Sequence, residues 1–70
     1  MSLKSLREAS GLSQYEVANR AGVDRTRLSL AENGHVRLAA NEEDAIRRVL
    51  LAATRDRASR IESVLVKASA

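Results

Sequence analysis

Arg25, Thr26, Ser29 and Leu30 are the residues whose types and spacing can act on another molecule. Around a 3.6-residue helical wheel, Leu28 and Ala31 point one way. Thr26, Ser29 and Leu30 then share the opposite face, flanked by Arg25 and Arg27. A guanidinium forks onto a guanine edge or a phosphate, and short hydroxyls let a groove approach closely. Leu30 is an apolar side chain aimed at water unless something covers it, and a thymine methyl does so. An ordinary solvated helix face carries Glu and Lys pairs instead. This pattern assigns Arg25, Thr26, Ser29 and Leu30 to base edges of duplex DNA and Arg27 to a phosphate.

Such a face needs two short elements to hold it. Ser13 and Glu16 have the spacing of a capping box that opens a helix. Val17, Ala18 and Ala21 fall on one face of that helix, and Gly22 follows where a helix end wants positive φ. Val23 and Asp24 then supply a hydrophobic staple and a second N-cap. The second helix carries Leu28 and Ala31 inward, and Asn33-Gly34 stops it. Two short helices with one turn and a small shared seam make a helix-turn-helix.

The chain from Leu3 to Leu50 resembles the lambda-repressor-like helix-turn-helix proteins, which include phage repressors and bacterial XRE-type regulators. Gln14 opens the first helix, Ala18 sits at its packing point and Gly22 at the turn. Val23, Leu28 and Ala31 point inward, and Glu32-Asn33-Gly34 ends the unit. Ala31 is smaller than the usual branched residue, and the proline often found after the loop is absent. The resemblance implies that Gln14 anchors to a phosphate and that points matching Arg25, Thr26 and Leu30 read the major groove. It also implies a pair between Arg7 and Glu32, against the alternative of a solvated, snorkelling Arg7.

The remaining polar candidates lie around this unit. Tyr15, the only aromatic residue, reads either as a half-buried plug with a wet hydroxyl or as a phosphate donor at a helix start. Asn33, His35 and Arg37 follow the second helix as further phosphate contacts, Arg37 the strongest of them. His35 is the single histidine, without the partners that catalysis or metal binding would require. No catalytic residue, metal or cofactor is expected, and the chain does not read as an enzyme.

Seventy residues make one small domain, 44% apolar but almost wholly Leu, Val and Ala. A chain of this size buries only about 60% of its unfolded surface, so self-association is expected as an added stabiliser. The net charge of +3 suits a polyanion. There are no cysteines, no run of eighteen apolar residues and no hydrophobic signal region, which points to a soluble protein of the cytoplasm, and the resemblance implies that this is the cytoplasm of a bacterium or a phage-infected cell. No membrane partner is expected.

Ser2 reads as the N-cap of a first helix running from Met1 to Ser10, with Leu3 and Leu6 inward. Asn41 reads as the cap of a long helix whose acids, Glu42, Glu43 and Asp44, sit on its positive end. An apolar stripe then runs through Ile46, Val49, Leu50, Ala53, Ile61, Val64, Leu65 and Ala68. Arg57 interrupts it, and Ser59-x-x-Glu62 offers another capping box, so a bend or restart is expected between Thr54 and Ser59. These readings combine into an all-α, compact bundle of four to five helices, the last one long or bent. Residues 1–53 form the DNA-binding domain and 54–70 a helical extension.

Ile61, Val64 and Leu65 exceed what the core needs. They read as a homodimer surface, or else as part of a fifth helix folded back on the domain. The expected function is sequence-specific binding of double-stranded DNA as a small regulator. The expected form is a homodimeric repressor on a palindromic operator, controlled by its own concentration or by a partner. The alternative is an antitoxin-like module whose C-terminal helix binds a protein partner.

Overall fold

The computed structural model describes residues 2–69 and, in the last turn, side chains only to Leu65 and at Lys67. Met1 and Ala70, placed by the sequence in the first and last helices, lie outside the described residues, as does the Ala68 side chain of the apolar stripe. Four helices follow in order: α1 (Leu3–Ser10), α2 (Gln14–Ala21), α3 (Arg25–Glu32) and α4 (Ala40–Ser69). No strand occurs among the described residues.

The short helices begin where the sequence places their caps. The Ser2 hydroxyl accepts from the Ser5 N–H, and the Asp24 carboxylate accepts from the Arg27 N–H. At α2 both halves of the box form: Glu16 N–H donates to Ser13 Oγ at 3.1 Å, and Ser13 N–H donates to Glu16 Oε1 at 3.2 Å. Each helix of the helix-turn-helix closes through a left-handed glycine. Gly22 has φ 70°, and the Val23 N–H returns to Ala18 O at 3.0 Å. Gly34 has φ 79°, and the His35 N–H returns to Leu30 O at 2.9 Å. A side chain at either glycine would meet the Cβ penalty of that conformation.

Val17, Ala18, Leu28, Leu38, Ile46 and Leu50 form the buried core. Leu3, Leu6, Leu12, Ala21, Val23 and Ala31 close around it. Each of Val17, Leu28, Ile46 and Leu50 is at most 1% exposed and contributes about 1.5–3 kcal/mol through burial. Leu28 is the one residue of α3 in the buried apolar core, and Ala31 packs against that core beside it. Leu38 enters the core from the connecting segment, a contribution that no periodicity announces.

Two expectations about α4 are corrected. It starts at Ala40, so Asn41 is not its cap; Ala39 takes that place, with Glu43 N–H bonded to Ala39 O at 3.0 Å. The Glu42 carboxylate reaches back to the Ala39 N–H at 2.9 Å, which is half of a capping box and starts the helix a residue early. The helix does not restart between Thr54 and Ser59, and no fifth helix occurs among the described residues. α4 runs unbroken for 30 residues. Thr54 turns its hydroxyl onto Leu50 O at 2.8 Å, as a threonine inside a helix does. Arg57 sits on the stripe because its guanidinium crosses to the end of α1, donating to Ala9 O at 3.1 Å. The outcome is an elongated molecule of 49 × 19 × 18 Å, its long axis set by a helix about 45 Å in length.

Candidate nucleic-acid interface

The outward face of α3 and the start of α2 meet in one shallow groove. Tyr15, Arg25, Thr26, Ser29 and Leu30 line it. All four residues expected to read base edges are therefore brought together, and Tyr15 stands beside them. Tyr15 is 65% exposed, which overturns its half-buried plug reading, and Leu30 is 39% exposed. Arg25 makes no ion pair among the described residues, so its guanidinium is available to an outside acceptor. A second depression adjoins the groove, lined by Arg7, Ser13, Gln14, Tyr15 and Arg25. Two arginines and the N-terminus of α2 converge there, a suitable place for a phosphate.

Below this depression lies the Arg7–Glu32 pair. Arg7 Nε donates to Glu32 Oε2 at 2.8 Å, Nη2 to Oε1 at 3.0 Å, and Nη1 to Leu12 O at 3.2 Å. The Glu32 side chain is only 2% exposed. Burial pushes its pKa up, but hydrogen bonds from Arg7 and Gln14 and the Arg7 charge outweigh this and hold it below the usual carboxylate value. The hydrogen bond to Glu32 raises the Arg7 pKa in turn. Gln14 Nε2 donates to Glu32 Oε1 at 3.2 Å, so the amide expected at a phosphate is oriented by the carboxylate behind it.

Arg27, expected at a phosphate, is ion-paired within the chain. Its Nε and Nη2 donate to the two Glu42 carboxylate oxygens at 2.8 and 3.0 Å. The hydrogen bond with Glu42 raises the Arg27 pKa. Hydrogen bonds from Arg27 and from the Ala39 N–H lower that of Glu42. Glu42, read from the sequence only as a complement to the helix dipole, thus ties α3 to α4. Asn33, His35 and Arg37 are exposed in the segment between those helices, and Arg37 forms no ion pair among the described residues. The signal for the Arg27–Glu42 pair is absent from local sequence, because fifteen positions separate the partners.

The three residues assigned to self-association lie far along α4. Ile61, Val64 and Leu65 are 53%, 65% and 60% exposed, so this part of the chain is not folded back on the domain. With Arg60 they line a shallow trough. Leu51, not singled out from the sequence, is a further exposed apolar residue of the same helix. Among the described residues no group of three metal-ligating side chains converges, and no helix is long and apolar enough to cross a membrane. A family model described as helix-turn-helix matches residues 3–46. No curated protein matches the chain. No solved structure matches it either.

Proposed function

Given that the chain belongs to the lambda-repressor-like (XRE) helix-turn-helix family of DNA-binding regulators, we propose that α3 reads the major groove through Arg25, Thr26, Ser29 and Leu30. The observation that carries this reading is the single groove lined by those four side chains and Tyr15, with the Arg25 guanidinium uncommitted. Arg25 forks onto a guanine, Leu30 covers a thymine methyl, and the two hydroxyls allow the close approach. Tyr15, Gln14, Asn33, His35 and Arg37 fix register on the phosphates. Arg27 serves mainly as a strut to Glu42. The protein acts as a repressor, a homodimer joined through the α4 arm at Ile61, Val64 and Leu65, on a two-fold operator.

Selection of bound sequences from a random duplex pool, followed by titration of variants, tests this. Arg25→Ala should cost about 1–3 kcal/mol on the selected site and relax preference at one base pair. Arg37→Ala should weaken all sequences alike and flatten the salt slope by about one unit. Equal losses on specific and random duplexes for both variants would refute the assignment of reading and anchoring roles.

A further inference from the structure

The outward residues of α4 follow a stricter pattern than a general stripe. The exposed Leu51, Ala58, Ile61 and Leu65, with the partly buried Thr54 between them, recur at alternating steps of three and four, the spacing of a coiled-coil seam. Leu51, Ile61 and Leu65 on this seam are 59%, 53% and 60% exposed, and Ala58 is exposed between them. Val64 stands on its shoulder. The helix carrying the seam is unbroken.

We propose that this seam pairs with a second copy of the chain as an antiparallel coiled coil. The proposal rests on the reading that the chain dimerises through α4, and it adds orientation, register and the charges that select them.

Side-chain size argues first for that orientation. In a parallel pair each layer meets its own kind, so Ala58 faces the partner's Ala58 and leaves a gap beside the bulky Ile61 layer. In the antiparallel register Ala58 meets the partner's Ile61, and Thr54 meets the partner's Leu65. Small then packs against large in both layers, which fills the space evenly. A seam of identical copies allows this only when it is self-complementary across a two-fold axis.

Charge argues second and independently. Arg55 and Glu62 flank the seam, and neither is in an ion pair within the chain among the described residues. The same antiparallel register sets Arg55 beside the partner's Glu62, twice by symmetry. A parallel pair would instead turn Glu62 toward the partner's Arg57, whose guanidinium is held at Ala9 O. The register also fixes a distance. At a rise of about 1.5 Å per residue, the two core-anchored segments around Ile46 and Leu50 lie about 35 Å apart along the pair. One turn of DNA is about 34 Å, the spacing that two reading helices need.

The chain has no cysteine, so single-cysteine variants report the geometry directly. Oxidised alone, Thr54→Cys and Leu65→Cys should each fail to cross-link, while their mixture should form the disulfide-linked heterodimer. Arg55→Glu and Glu62→Arg should each raise the dimer dissociation constant at least about tenfold, because like charges then face each other, and the double exchange should restore it. Far-UV circular dichroism on each variant confirms that the helices persist. Self-linking of each cysteine variant alone, or unaltered dimerisation of Arg55→Glu, would overturn the antiparallel pair and leave dimerisation through α4 standing. A one-chain mass by light scattering at micromolar concentration would overturn both.

Discussion

Replacing Arg7 by methionine keeps the apolar stem and removes the group on which Glu32 depends. The Glu32 side chain, 2% exposed, would retain only the Gln14 amide of its present donors. Breaking a buried pair from one side costs about 3–5 kcal/mol, because a charge is left without its partner. Arg7 is itself 16% exposed, so water softens the loss and about 3 kcal/mol is expected. A domain of this length has roughly 4–10 kcal/mol in all. The melting temperature should therefore fall by about 12 °C or more, read by circular dichroism at neutral pH. Glu32→Gln keeps the shape and an acceptor, and should cost only about 1–2 kcal/mol. Arg7→Met combined with Glu32→Leu should recover much of the single-variant loss, since the stranded carboxylate is gone. A cost below about 1 kcal/mol for Arg7→Met, or a double variant whose loss equals the sum of the singles, would refute the reasoning.

Further outcomes follow from the same contacts. The folded pKa of Glu32 lies below its ordinary 4.5, so its contribution to stability is complete above that range and is lost as pH falls through the folded value. Acid unfolding followed by urea titration should show a shallower acid limb in Glu32→Gln than in the wild type. Exchanging the thymine beneath Leu30 for uracil should weaken binding, and Leu30→Ala should be nearly indifferent to the exchange; affinity unchanged at every thymine would exclude the methyl contact. Arg27→Ala should alter the salt slope of DNA binding much less than Arg37→Ala does, because Glu42 already neutralises Arg27. Arg57→Ala should speed hydrogen exchange at the end of α1 by releasing the Ala9 carbonyl.

What could be read from the sequence was set by local physics. Ser13 with Glu16, Asp24, and the glycines at 22 and 34 act within a few residues, so the turn and both ends of α3 are legible. The face of α3 follows from helical phase once Leu28 is known to be inward. Contacts between distant elements are not legible in that way. Arg27 and Glu42 look like independent surface charges until α3 and α4 are set side by side. Arg57 looks like an interruption of a stripe until the end of α1 arrives beneath it. Leu38 lies outside any helix, so no period marks it as core. The start of α4 moved because a glutamate side chain competes with asparagine for the capping role.

Since one uninterrupted helix supplies both the wall of the core at Ile46 and Leu50 and the outlying Ile61 and Leu65, the two ends share a rotational phase. Each residue of an α-helix advances by about 100°, so a single residue inserted after Thr54 would swing the outer apolar edge round by roughly a quarter turn. An insertion of seven would lengthen the shaft by about 10 Å and turn that edge by only about 20°. The chain is thus geared: its outer half tolerates changes of length in whole heptads while the face it presents stays nearly fixed relative to α3.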